Sequence, residues 1–333
     1  MNALVTGGAG FIGSHLSELL LADGDDVYVL DDLSTGSLEN LEGVRGHPGL
    51  HFVVDSVLHP AIVNELVNKA DVVYHLAAAV GVKTIVEYPV RTLQVNLEGT
   101  RIVLDACCKF GRPVLVASTS EVYGDHRTEE PLQETSRRIY GATTQKRWAY
   151  ADSKAMDEFL ALAYREEHGL EAVIVRLFNT VGPRQTGRYG MVVPRFVERA
   201  LRDEIIEVYG DGAQTRCFCH VADTIHALRD LMTDLVWTSG EIFNVGAPNQ
   251  TSIRDLALRV KQLTASSSPI VHLPFEEVYG SGIDDMLHRV PCIDKVRRVI
   301  GWAPERSLED ILHDVIEDVA DRTRHETYEV VPA

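Results

Sequence analysis

Thr6-Gly7-Gly8-Ala9-Gly10-Phe11-Ile12-Gly13 is the stretch on which the fold turns. It follows a short apolar run at 3–5 and opens a helical pattern. In that setting each glycine has its own use. Gly7 lets the chain turn sharply, Gly10 lets backbone approach a pyrophosphate, and Gly13 lets helix and strand pack closely. The N–H groups and dipole at the helix start then favour an anion. Asp31 lies 18 residues past Gly13, at the end of a second apolar run. An acidic side chain there accepts from both ribose hydroxyls and repels a 2′-phosphate, so NAD is expected over NADP, and Asp32 reinforces the preference.

Working outward, apolar runs at 3–5, 27–30, 52–54, 72–75, 114–117 and 173–177 predict strands. They lack in/out alternation, which suits parallel strands covered on both faces. Helical patterns lie between them. Pro60 opens one that runs toward Lys69. Val103, Ala106, Cys107 and Phe110 form a stripe that stops at Gly111, and Met156, Phe159, Leu160 and Ala163 form another that ends at Gly169. Both stripes are expected to be core. The fold class expected is α/β, a Rossmann-type doubly wound parallel sheet with a smaller C-terminal substrate-binding α/β lobe. Residues 1–177 form the dinucleotide half and 178–333 mainly the second lobe, with part of 221–246 returning to the sheet. In the second half, 179–190 reads as a long binding loop and helices are expected at 193–202, 223–232, 252–263 and 307–320. The last two begin with Ser followed three residues on by Asp, a capping pattern. The acidic stretch 305–328 reads as a solvated helix with a frayed tail.

The 333 residues are 45% hydrophobic and 24% charged, enough apolar residue for a sizeable core. Against 32 Lys and Arg stand 49 Asp and Glu, a net charge of −17. Such a surface repels phosphate backbones and anionic lipid, so neither nucleic acid nor membrane is an expected partner. A phosphate-bearing ligand must be held by a local device. No run approaches the roughly 18 apolar residues of a membrane span, and the glycine-broken N-terminus reads as structure, not as a signal peptide. Cys107, Cys108, Cys217, Cys219 and Cys292 are too few and irregular for a disulfide framework, so a reducing cytoplasm is expected. Cys217-x-Cys219-His220 lacks a second ligand pair at useful spacing, and no metal is expected.

Tyr150 and Lys154 are four apart in a helical stretch and share one face. A lysine ammonium beside a phenol favours the phenolate, as does the charge of NAD⁺. The tyrosine then takes a proton from a hydroxyl while hydride leaves the same carbon.

Several motifs occur in order: Gly7-x-x-Gly10-x-x-Gly13, His75-Leu76-Ala77-Ala78, Ser118-Thr119-Ser120-Glu121-Val122-Tyr123-Gly124, Tyr150-x-x-x-Lys154, Phe178-Asn179-x-x-Gly182-Pro183-Arg184, and Tyr209-Gly210-Asp211-Gly212 before Gln214-Thr215-Arg216. Together they resemble the extended short-chain dehydrogenase/reductase family that acts on nucleotide sugars. The resemblance implies an NAD-dependent enzyme that oxidises a UDP-sugar at C4. It also implies cofactor contacts from Gly7, Gly10, Phe11, Ile12, Gly13, Asp31, Asp32, Ser34, Gly36, Asp55, Ser56, Leu76, Ala77, Ala78, Asn96, Ser118, Tyr150, Lys154 and Val181. On the substrate side it implies Asn179, Arg188, the backbone near Val193, Tyr209, Arg216 and Arg289. Two of the helices would meet their copies in a four-helix bundle, giving a homodimer.

Family members differ in the step after the oxidation. Ser120-Glu121 stands where 4,6-dehydratases carry Asp-Glu, and the absent aspartic acid argues against dehydration. Decarboxylases that turn UDP-glucuronate into UDP-xylose or a UDP-4-keto-pentose carry Thr-Ser-Glu, as at 119–121 here. His288-Arg289-Val290-Pro291-Cys292-Ile293 resembles the arginine segment that lies near the carboxylate in those decarboxylases. Lys146-Arg147-Trp148-Ala149-Tyr150 and Arg216-Cys217-Phe218 resemble the bacterial decarboxylase domain of the aminoarabinose pathway. Thr119 or Ser120 with Tyr150 would stabilise an enolate, and Glu121 and Arg289 would handle carboxylate and proton. Glu121 would need its pKa raised by burial beside another anion. Ala79-Val80-Gly81-Val82-Lys83 instead resembles a loop of UDP-glucuronate and UDP-glucose 4-epimerases. Decarboxylation is the favoured expectation and 4-epimerisation the alternative. A non-catalytic NAD-binding sensor or scaffold would more simply lack Tyr150 or Lys154.

Overall fold

A computed structural model describes residues 1–81, 87–126, 130–187, 190–274 and 289–329. The first half alternates strand and helix: β1 (Asn2–Thr6), α1 (Phe11–Ala22), β2 (Asp26–Asp31), β3 (Leu50–Val54), α2 (Pro60–Lys69), β4 (Val72–His75), α3 (Gly99–Phe110), β5 (Val114–Thr119), α4 (Arg147–His168) and β6 (Ala172–Leu177). Each expected run in this half sits inside an observed strand. Gly111 and Gly169 end α3 and α4 in the left-handed conformation, at φ 64° and 71°, which glycine adopts without a side-chain penalty.

The second half contributes α5 (Val192–Leu201), α6 (Val221–Leu231), β7 (Ile242–Val245), α7 (Ile253–Leu263) and α8 (Leu308–Glu329). All seven strands run parallel in one sheet, ordered β7-β6-β5-β4-β1-β2-β3. Strand order reverses at β1, so the carboxyl ends of β1 and β4 open a crevice there. Helix α6 packs with α1 in one apolar cluster, where Ile225, Leu228 and Leu231 join Leu16 and Leu20.

A second cluster draws on α5, α7 and α8 through Phe196, Leu256, Ile311, Leu312 and Val315. Short strand pairs at Ile206–Tyr209 with Ile270–Leu273, and at Thr215–Cys217 with Gln250–Ser252, complete that lobe. Ser307 and Asp310 cap α8 reciprocally: the Ser307 N–H donates to Asp310 Oδ2 at 2.8 Å, and the Asp310 N–H donates to Ser307 Oγ at 3.2 Å. That helix runs on to Glu329, past the expected end at 320, and buries Val315 and Val319 on its inner side.

One core expectation is corrected. Met156 and Phe159 are 50% and 58% exposed, and Ala163 is exposed too. Helix α4 turns Ala151, Ala155 and Ala161 inward instead. Small residues let it lie close to the sheet, leaving the bulkier stripe outside.

Candidate active site

The crevice widens into a cavity of about 790 Å³ whose wall takes in both halves of the chain. At one end stand the glycines. Gly7 has φ 72°, and a Cβ on it would lie 2.8 Å from the Ala77 nitrogen; a Cβ on Gly13 would lie 2.1 Å from the Gly7 oxygen. Neither position admits another residue. A Cβ on Gly10 would meet only the Gly7 oxygen, at 3.1 Å, and would otherwise fill cavity space. Gly10 also precedes the first turn of α1, so the backbone forms a cradle of the size and polarity a dinucleotide pyrophosphate needs.

Asp31 stands at the end of β2, on the cavity wall. The Ala9 N–H donates to its Oδ2 at 3.0 Å and the Leu33 N–H to its Oδ1 at 2.8 Å. Burial pushes its carboxyl upward, and these N–H groups oppose that. The carboxylate is on the cavity wall, where an acceptor can meet a ribose hydroxyl. Asp32 is matched by Arg91, whose Nη2 is 3.6 Å from Asp32 Oδ2.

Midway along the wall stand Thr119, Ser120, Glu121, Tyr150 and Lys154. Strand β5 ends at Thr119, whose hydroxyl oxygen accepts from the Glu121 N–H at 3.2 Å and so starts the tight turn Ser120–Tyr123. The Thr119 hydroxyl favours the ionised form of the Tyr150 phenol. The phenol's pKa is nevertheless pushed upward, first by burial, then by the charges of Glu121 and Asp157. Lys154 stands on the same stretch of wall. The ammonium is committed to Asp157, with Nζ 2.6 Å from Oδ2.

Arg289 reaches this cluster from far along the chain. The Leu132 N–H donates to the Val290 carbonyl at 2.7 Å, and the Cys292 N–H to the Leu132 carbonyl at 2.9 Å, anchoring the segment that carries it. Arg289 is 7% exposed, with Nη1 3.5 Å from Ser120 Oγ and 3.7 Å from Glu121 Oε1. The neighbour found for Glu121 is thus a cation, where another anion was expected.

At the far end Asn179, Tyr209 and Arg216 line the wall. The Asn179 amide donates to the Cys217 carbonyl at 3.0 Å. Arg195 lays its guanidinium over the Tyr209 ring, 4.1 Å from the centroid, and Nη1 donates to the Tyr209 hydroxyl.

Gly7, Gly10, Phe11, Ile12, Gly13, Asp31, Asp32, Ser34, Ser56, Leu76, Ala77, Ala78 and Ser118 all line the cavity. Five other chosen positions do not. Gly36 backs Ala9 and the Asp31 carboxylate, and Asp55 pairs with His59. Asn96 is buried: its Oδ1 accepts from the Ala79 N–H at 2.9 Å and its Nδ2 donates to Ser153 Oγ at 3.1 Å. Val181 and Val193 belong to the second apolar cluster, and Met191 and Val192 meet the cavity in place of Val193. Arg188, Val82 and Lys83 lie outside the described residues. Arg91, Gln185 and Arg195 also line the wall, although no spacing or motif marks them for it, as do Arg184 and Gln214 from the Gly182-Pro183-Arg184 and Gln214-Thr215-Arg216 motifs. Arg184 spans the halves, donating to both Glu18 oxygens at 2.7 and 2.9 Å.

A family model described as GDP-mannose 4,6 dehydratase matches residues 4–315. The chain belongs to that family, a branch of the extended short-chain dehydrogenases/reductases. Its similarity to UDP-N-acetyl-alpha-D-glucosaminuronate decarboxylase of Bacillus cytotoxicus is 42% identity over 315 residues, covering 94% of this chain and 96% of the relative. UDP-glucuronic acid decarboxylase 6 of Arabidopsis thaliana is 37% identical over 322 residues, covering 96% and 88%. Among solved structures, the UDP-glucose 4-epimerase of Thermus thermophilus in complex with NAD superposes with a TM-score of 0.84 at 30% identity, covering 96% and 99%. The chain is thus a nucleotide-sugar enzyme of this family, with decarboxylases among its relatives.

Proposed function

We propose that the protein binds NAD in the glycine cradle and decarboxylates a UDP-linked hexuronate, UDP-glucuronate or its 2-acetamido counterpart, after oxidation at C4. One observation carries this reading: the buried Arg289 guanidinium points at Ser120 and Glu121 beside Tyr150, where a sugar carboxylate would meet it. The decarboxylases at 37–42% identity support it.

When bound, the dinucleotide accepts hydride from C4 and can return it. Tyr150, on the same wall as Thr119, takes the proton from the C4 hydroxyl. The C4 ketone makes the C5 carboxylate a β-keto acid, so the C5–carboxylate bond breaks, CO₂ leaves, and its electron pair becomes the C4–C5 enolate. Hydroxyl donors on Thr119 and Tyr150 stabilise the enolate oxygen. Glu121 is placed to manage the proton that C5 then takes up, and Arg289 orients the carboxylate before it departs. Asp31 binds the adenosine ribose. Asn179, Tyr209 and Arg216 hold the UDP moiety.

We extend the reading to assembly and location. The outward stripe of Met156, Phe159 and Ala163 on α4 is the face a second copy would cover, giving a homodimer. No described helix is long and apolar enough to cross a membrane, and the five cysteines carry no disulfide, in keeping with the cytoplasm.

Mass spectrometry of the protein incubated with each UDP-hexuronate, with and without NAD⁺, tests the function. A product lighter by carbon dioxide is expected. Unchanged mass with a new chromatographic isomer would mean 4-epimerisation, and no change with either sugar would overturn both.

A further inference from the structure

Helix α4 buries two acid–base pairs side by side. Glu158 is fully engaged: Arg176 donates to both of its oxygens at 2.9 and 2.7 Å, and Ser118 donates to Oε1 at 2.5 Å. Asp157 differs. Its Oδ2 takes the Lys154 ammonium at 2.6 Å, with both side chains 3% exposed or less, while Oδ1 has no ordinary hydrogen bond among the described residues.

Behind Asp157 runs a line of polar groups from three other elements. Burial pushes the Asp157 carboxyl upward, opposed first by Lys154 and then by Thr100 at the start of α3. Thr100 Oγ1 is 3.1 Å from His75 Nε2, and His75 Nδ1 is 2.8 Å from Thr6 Oγ1, which accepts from the Ala77 N–H at 3.3 Å. Burial holds the His75 pKa down to about 3, so the ring is neutral and donates through one nitrogen while accepting through the other.

We propose that Asp157 is a positioning residue for the Tyr150–Lys154 pair, its carboxylate fixing the ammonium in the cavity wall and setting the charge that the phenol faces. The charged groups around the phenol are few. Glu121 comes from the turn after β5, with Arg289 against it, and Lys154 and Asp157 come from α4 itself. Of the two anions, Glu121 is offset by Arg289 and faces substrate. Asp157 does not line the cavity, and it holds the Lys154 ammonium, which stands one helical turn from the phenol. This role rests on Tyr150 acting as the base.

The test is Asp157→Asn in the full-length protein, with difluorotyrosine at position 150 so that the phenol titrates in an accessible range by fluorine NMR. Loss of the anion and release of Lys154 should lower the titration midpoint by about one pH unit. The acid limb of kcat/KM for the ordinary-tyrosine variant should move down with it. An unchanged midpoint overturns the proposal, leaving Asp157 as a structural partner whose loss lowers stability but moves neither titration. If Asp157→Asn does not fold, Asp157→Ser, neutral and with room for water on the ammonium, is read in the same way. The NMR titration needs no substrate. It decides the role of Asp157 even if neither UDP-hexuronate is turned over, which would count against the function alone.

Discussion

At one end of the cavity Gly7, Gly10 and Gly13 bring bare backbone to the wall within a single strand–turn–helix. From the middle of the cavity to its other end, Arg289, Arg216 and Arg195 reach it as long side chains from three distant segments. The first end works by what is missing from it, since a Cβ on Gly7 or Gly13 would strike main chain. The second works by extended cations that an acidic chain, at −17 overall, concentrates in one place. Backbone sites tolerate no substitution, whereas side-chain sites grade their losses with each contact removed. That contrast orders the predictions.

The largest effect should come from Gly13→Val. Its Cβ would fall 2.1 Å from the Gly7 oxygen, a clash only backbone movement can relieve. Dinucleotide binding, followed by calorimetry, should vanish, and denaturant unfolding should show a loss of about 3 kcal/mol. Retained binding would mean the cradle is not set by backbone approach.

Next is Tyr150→Phe, at the junction of the two ends. Turnover should fall roughly 10²- to 10⁴-fold, while the dinucleotide dissociation constant stays near that of the parent. Normal turnover would remove Tyr150 from the mechanism and leave the cavity as a binding site.

Arg289→Met should cost about 10- to 100-fold in kcat/KM for a UDP-hexuronate, the range for losing hydrogen bonds to a charged group. UDP alone should bind as before, because the effect belongs to the carboxylate. Equal losses for UDP and for the hexuronate would move Arg289 from the sugar to the nucleotide.

The same contrast explains what sequence could and could not disclose. The dinucleotide end is legible because residue type and spacing are themselves the geometry: Gly7, Gly10, Gly13 and Asp31 all line the cavity. Tyr150 and Lys154 were legible as a pair because a helix puts positions four apart on one face. Asp157 was not, since an acid three residues after a lysine is ordinarily a solvated surface pair. Here the helix is buried to its polar side, and the ammonium pairs with a buried carboxylate. Arg195 and Arg91 carried no spacing signal either. Asn96, Val181 and Val193 came through resemblance, and the structure gives them bracing or packing roles. The stripe of Met156, Phe159 and Ala163 has the right period for a buried face, but period does not say which of two apolar faces meets the sheet.

The smallest effect tests the graded end at its outermost contact. Arg195 stacks on the Tyr209 ring and donates to its hydroxyl, so the ring is held flat against one side by a cation. A base stacking on the other side would meet a ring already fixed in orientation, and the ordering cost would not fall on the ligand. Arg195→Met keeps the length and apolar stem of the side chain but removes the charge and the hydrogen bond. A cation–π contact of this kind contributes about 0.5–2 kcal/mol, so UDP affinity by calorimetry should weaken by about tenfold while kcat at saturation stays unchanged. A drop in kcat with UDP affinity intact would show the stack reaching the reacting sugar, and the graded end would then share the intolerance of the glycine cradle.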